Sequence, residues 1–369
     1  MKARISALVA ALALLPSALA AQQADVHHAA GLQLQAVPAV MAKVVDGFIR
    51  PGYRGFHASA KSLEESMTQA CANPSQAGLE AARNGYRDAV LAWSRIEIVR
   101  TGPVIEDNRF EHILFYPDRK GLALKQIQAA IASTDGNFAN SVALRQKSVA
   151  IQGLGALDYV LYGTGAEQLT GKDGASRCLY GAAIAGNVEH MAAELAALWD
   201  APDGIAKSWK EPGPANEIFR DAPEAVTGLI GILVHGMETV RDERLETFYK
   251  GAGGRIAPRQ AIYWRSGLTF ASMQANIDGI TSLLNGAGVK ELMPEDKRGE
   301  VDKVNTLAEK LKATLASLPA DPEKATGDAS EKARLDLLLA DSRAMITALS
   351  DGVGGAVGLS AGFSFADGD

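Results

Sequence analysis

The sequence predicts an all-α protein, with roughly four antiparallel helices in each half of the chain. Three observations carry this. The apolar surface comes from alanine and leucine, with 47% hydrophobic residues but only 6% aromatic. Apolar residues recur at helical spacing along most of the chain, and no sustained period-two alternation appears. Proline and glycine clusters interrupt these stripes at helix-length intervals, leaving short connections of the kind that join up-down bundles.

The first residues are read as an export signal and set aside from the fold. Lys2 and Arg4 precede an apolar run from Ile5 to Leu15, too short to cross a bilayer, and Ala18-Leu19-Ala20 is a small-x-small cleavage site. The expected division is a signal peptide at 1–20, a helical bundle at 21–165 and a second bundle at 175–369. No later stretch has eighteen uninterrupted apolar residues, so the mature chain is expected to be free of membrane spans and to reside in the periplasm. Its two cysteines, Cys71 and Cys178, would be buried thiols in a reducing compartment. In an exported protein such a pair is more often a disulfide, here closing a long loop and adding roughly 4 kcal/mol.

The helices follow in order. Leu32, Leu34, Val37, Val40, Val44 and Phe48 form a stripe that stops before Pro51-Gly52. A second helix over 56–72 ends at Asn73-Pro74. Residues 76–100 give the clearest pattern, with Leu79, Ala82, Tyr86, Ala89, Trp93 and Ile96 on one face, and Thr101-Gly102-Pro103 as the stop. Residues 104–121 read as irregular. Short helices are expected at 122–132 and 138–146, and a third at 152–163. The glycine-rich stretch Gly163 to Gly174 is the expected domain boundary. Longer helices are expected at 176–199, 222–249, 260–284, 301–318 and 333–349. The tail Phe363 to Asp369 is apolar enough to dock on the body.

One of these helices is unusual. Gln152 to Gly163 reads QGLGALDYVLYG, with Leu154, Leu157 and Leu161 on one side and a single carboxylate, Asp158, among them. Burying that acid is costly unless it is paired, hydrogen-bonded or metal-bound. Gly153, Gly155 and Gly163 leave room for a backbone or ligand to approach. Taken alone, the stretch is a core helix whose acid sits at an exposed edge or pairs with Arg95, Arg109 or Arg119.

Three blocks change that reading: Glu106-Asp107-Asn108-Arg109-Phe110-Glu111-His112, then Tyr116-Pro117-Asp118-Arg119-Lys120-Gly121, and the ending Gly362-Phe363-Ser364-Phe365-Ala366-Asp367-Gly368-Asp369. With the Asp158 helix between them, they resemble the imelysin family of bacterial secreted proteins, also filed as M75 peptidases. The family's Gly-x-His-x-x-Glu signature falls on Gly153, Gly155 and Asp158, so glycine replaces the His and aspartate the Glu. The chain thus resembles an imelysin-like branch without the full motif. The resemblance implies two helical bundles packed side by side with a ligand groove between them. It also implies a role in iron uptake, with an iron species, a small ligand or an envelope iron-uptake protein as partner.

The groove residues expected are Asp158, Glu106, Arg109, Asp118, His112 and Glu97. Asp118 and Asn108 are equally suited to capping a turn or helix. For a metal such as iron or another divalent ion, Asp158 is the first candidate ligand, although losing the His removes a preferred donor. His235 and Glu238, spaced i, i+3 on one helix face, are a second candidate pair, with a surface ion pair as the plainer reading. His190 with Glu194 is a similar pair. The net charge of −6 argues against nucleic acid as a partner. No phosphate loop, nucleophile elbow or Cys/His zinc pattern is present. The function that the resemblance implies is binding, non-enzymatic because Gly155 replaces the motif His, with an M75-type metallopeptidase and an envelope scaffold as alternatives.

Overall fold

The computed structural model describes residues 31–118, 120–133 and 135–359. The expected signal peptide, Arg119, and the tail with Phe363, Phe365, Asp367 and Asp369 lie outside the described residues.

The chain opens with α1 (Val37–Lys43), which widens into a π-helical turn over Val44–Ile49 and continues as α2 (Arg50–Ala72). The expected break at Pro51 is thus absent. Pro51 sits at the start of α2, directly after the π turn, and the helical backbone runs through it. Ser75 caps α3 (Gln76–Ile96) by accepting from Gly78 N at 3.1 Å. The apolar face named from sequence, from Leu79 through Ile96, is buried. Short elements follow: α4 (Arg109–Ile113), α5 (Leu122–Ala132), α6 (Ser141–Arg145) and α7 (Gly153–Tyr162), the helix that bears Asp158. The second half comprises α8 (Ala175–Asp200), α9 (Ile205–Lys210), α10 (Ala222–Glu238), α11 (Thr269–Gly286), α12 (Gly299–Ser317), α13 (Pro322–Gly327) and α14 (Ala329–Thr347). Two further π turns, Thr239–Leu245 and Ala348–Gly354, extend α10 and α14. No strand forms among the described residues; Tyr249 and Ile256 make an isolated bridge.

These helices pack as two groups. One gathers α2, α3, α7 and α8; the other gathers α10, α11, α12 and α14. The grouping differs from the division expected at 163–174. Helix α8, assigned from sequence to the second bundle, packs most extensively on α2, and Cys71 of α2 is bonded to Cys178 of α8. Conversely, α1 and its π turn pack on α9, α10 and α11, so the first described helix belongs with the second group. Proximity in sequence misleads here because the chain enters through one group and is continuous into the other.

The seam between the groups is chiefly α3 against α11. Gly279 makes it close: a Cβ there would lie 2.2 Å from the Arg95 carbonyl oxygen. Asn276, one turn earlier on α11, donates to Ser94 O at 2.6 Å and to Glu97 Oε1 at 2.7 Å. Glu97 in turn accepts from Arg244 Nη2 at 3.0 Å, and both side chains are almost fully inaccessible. Arg244 is carried by the π turn after α10.

Candidate site at the Asp158 helix

Helix α7 is pinned at both ends. At its N-terminus Gly153 adopts φ +72°, and a Cβ would fall 2.3 Å from Ile113 O. Only glycine combines that conformation with that approach. At the C-terminus, Arg83 donates to Leu161 O at 2.8 Å, and Arg177 donates to Val160 O at 3.0 Å and Thr164 O at 2.5 Å. Cationic donors on the last carbonyls satisfy both their hydrogen-bonding need and the helix dipole. Asp158 is therefore held in a fixed place, and it is buried rather than on an exposed edge.

A cavity of about 270 Å³ opens beside α7. Asp158, Gly155, Ala156 and Tyr159 form one wall, and residues 114–118 a second. The third wall comes from residues 259–265, including Tyr263, Trp264 and Arg265. This third wall lies in a stretch that helical spacing assigned to the start of a long helix. That helix begins instead at Thr269. Pro258 and Gly267, the latter at φ +71°, bracket the irregular segment, and Tyr263 itself adopts φ +54°. Those two breakers were the available signal.

Tyr86 Oη stands 3.4 Å from Asp158 Oδ1 and 3.1 Å from Leu154 O, so its one proton serves one acceptor at a time. Ser266 also hydrogen-bonds the Asp158 carboxylate. Arg265 Nη1 is 4.0 Å from Asp158 Oδ2, close enough for attraction and too far for a hydrogen bond. Burial dominates, pushing the Asp158 pKa up to about 6 against the opposing influence of Ser266, Arg265 and Tyr86. Burial likewise holds Tyr86 and Tyr263 well above the usual phenol range.

The expected groove residues separate. Asp158 and Asp118 line the same cavity. Asp118 caps α5, its two oxygens accepting from Leu122 N at 3.0 Å and Ala123 N at 2.9 Å. His112 stands behind the wall, with Nδ1 3.1 Å from Oε1 of Gln152, itself a wall residue. Glu97 sits deeper, in the seam with Arg244 and Asn276. Glu106 and Arg109 lie away from the cavity wall: Glu106 is exposed, and Arg109 pairs with Asp107 at 3.0 Å and Glu194 at 3.2 Å. Asp158 does not pair with Arg95 or Arg109, as the plainer sequence reading had it: Arg95 faces Asp278 and Arg109 faces Asp107 and Glu194, while Arg119 lies outside the described residues. Arg265, Tyr86 and Ser266 take that role.

The donors around Asp158 do not fit a metal held by this chain. Its nearest charged neighbour is a guanidinium, and among the described residues no three His, Cys, Asp or Glu side chains gather as a ligand set. His235 Nδ1 lies 2.9 Å from Glu238 Oε2, away from the cavity wall. His190 pairs with Glu194 at 3.0 Å. Gly155, at the signature's His position, faces the cavity, where an added Cβ would meet only Phe115 O at 3.7 Å.

The fold agrees with comparisons to known proteins. An imelysin-like protein from Psychrobacter arcticum 273-4 superposes with a TM-score of 0.76 at 19% identity, covering 90% of this chain and 98% of that one. A putative iron-regulated protein A precursor from Parabacteroides distasonis ATCC 8503 gives 0.71 at 14% identity, covering 88% and 95%. No curated protein matches in sequence. The family model described as imelysin, peptidase M75, matches residues 49–349. The chain belongs to the imelysin family.

Proposed function

We propose that this chain is an exported, periplasmic binding protein that assists iron acquisition, and that the cavity beside α7 is its ligand seat. The observation that carries the reading is the placement of Asp158. The residue at the family's signature acid is buried in the wall of a cavity formed by α7, residues 114–118 and the segment that leads into α11. Export rests on the leader at 1–20; no described helix is long and apolar enough to cross a membrane. The link to iron rests on family membership and on a similar fold in a protein described as iron-regulated.

A binding role suits the wall better than hydrolysis. No Cys or His is among the described residues that line it, so neither Thr247 in the wall nor Ser266, next to Arg265, has an imidazole base lining the cavity with it. Since the donors do not suit direct metal coordination, the ligand is a small molecule or an already chelated iron species. Deleting the gene should lower iron uptake from iron-poor medium, and the wild-type gene should restore it while Asp158→Ala should not. Unchanged uptake in the deletion strain would remove the iron role.

A further inference from the structure

We infer that the cavity beside α7 takes a small organic acid, an apolar carbon body bearing a carboxylate that docks on Arg265. The inference rests on the reading of this cavity as the ligand seat and names the chemical class it accepts.

Among the described residues, four charged side chains line the cavity: Asp118, Asp158, Arg259 and Arg265. Three are engaged. Asp118 holds two backbone amides of α5. Asp158 is hydrogen-bonded by Ser266 and Tyr86. Arg259 donates to Glu323 at 2.7 Å. Arg265 differs, because no described residue accepts a hydrogen bond from it, and its nearest carboxylate oxygen stands at 4.0 Å. Its guanidinium lies 4.5 Å from the Trp264 ring centroid and 5.1 Å from that of Tyr159. Aromatic contacts fix a guanidinium without consuming its N–H donors. A half-buried arginine held by rings, with its donors unspent, matches the two oxygens of a carboxylate. Much of the remaining wall is apolar, including Leu114, Leu124, Ile127 and Ala156. That favours a carbon body over a bare inorganic anion.

Asp158 makes the site sensitive to pH. The groups facing it are Tyr86 from α3, Tyr162 on its own helix, Tyr263 and Arg265 from the third wall, and Ser266 just beyond it in sequence. The three tyrosines are held above their ordinary range and Arg265 remains cationic, so Asp158 is the member that titrates near pH 6. Protonating it removes the charge that competes for Arg265, and a carboxylate then binds more tightly.

The test is titration of the mature protein with benzoate and 3-phenylpropionate, with benzyl alcohol and inorganic phosphate as controls. Calorimetry and tryptophan fluorescence give the readout. Trp264 lines the cavity while Trp93, Trp199 and Trp209 are fully buried, so the emission change reports this site. The two acids should bind, more tightly at about pH 5 than at about pH 7.5. Arg265→Gln should weaken them about 10- to 100-fold, with Arg265→Lys intermediate and the melting temperatures of both variants near wild type. Asp158→Asn should flatten the pH dependence. Benzyl alcohol binding as well as benzoate, or Arg265→Gln leaving benzoate affinity unchanged, would overturn the carboxylate assignment while keeping the cavity as a ligand seat. Phosphate binding as tightly as benzoate would overturn the organic body. Failure of all four probes to bind or to alter the emission would overturn the proposal, and the iron-uptake phenotype would then judge the broader function separately.

Discussion

Arg244 donates to Glu97 at 3.0 Å across the seam between the two helix groups, with each side chain no more than 3% exposed. Burial works against the Arg244 charge, but Glu97 and Glu243 outweigh it and hold its pKa above the ordinary value. The pair joins the end of α3 to the π turn after α10. Asn276 of α11 satisfies the other Glu97 oxygen at 2.7 Å.

Removing one partner leaves the other charge buried without compensation. Glu97→Leu should therefore cost about 3–5 kcal/mol in urea unfolding, and the double replacement Glu97→Leu with Arg244→Met should recover most of it. A single-variant loss below about 1 kcal/mol would place this pair with ordinary surface ion pairs.

Asp158 gives a pH-dependent stability of known sign. Its folded pKa, about 6, lies above the ordinary 3.8. Its favourable contribution is therefore complete below the unfolded value and is lost as pH rises through about 6. Asp158→Asn cannot ionise, so wild type should lose roughly 2–3 kcal/mol relative to it between about pH 4 and pH 7.5. Denaturant midpoints at both pH values measure the difference, and parallel profiles would contradict a buried, titrating Asp158.

The disulfide ties α2 to α8 over a sequence separation of 107 residues. A loop of that length constrains the unfolded chain by up to about 4–5 kcal/mol in the chain-entropy model. Replacing Cys71 and Cys178 with serine should lower the urea midpoint accordingly while α2 and α8 stay packed. Reductant should destabilise wild type and leave the double variant unmoved.

Much of the fold could be read from the letters where periodicity and burial coincide. The α3 stripe from Leu79 to Ile96 is an example, because one face meets a core and the other meets water. Asp158 also stood out, since a lone acid among leucines needs a partner. Its partners did not stand out. Tyr86 lay hidden within an apolar stripe, and Arg265 lies 107 positions away in a stretch whose Ala261, Ile262 and Leu268 imitate a helical face. Helical spacing cannot show that Tyr263 turns to φ +54° and Gly267 to +71°. The grouping of helices was equally hidden, because packing of α8 on α2 is a long-range property with no local signal beyond the cysteine pair. Glu106 and Arg109 looked like groove residues because the family block is dense there, but the charges at that block pair with one another and with Glu194.

The two glycines at the start of α7 should respond in opposite directions. Gly153→Ala places a Cβ 2.3 Å from Ile113 O and 2.7 Å from His112 O, at φ +72°. The left-handed conformation alone costs about 1–2 kcal/mol, and the backbone contact adds to it, so a clear drop in melting temperature is expected. Gly155 has ordinary helical geometry, and its added Cβ meets only Phe115 O at 3.7 Å. Gly155→Ala should therefore stabilise by roughly 0.5–1 kcal/mol through reduced chain entropy. Gly155→His restores the family's residue and sends an imidazole into the cavity. It should be tolerated in thermal melts while weakening benzoate binding, because it fills the space beside Asp158. Equal destabilisation of Gly153→Ala and Gly155→Ala would mean that α7 is not held against residues 112–113 in the manner described.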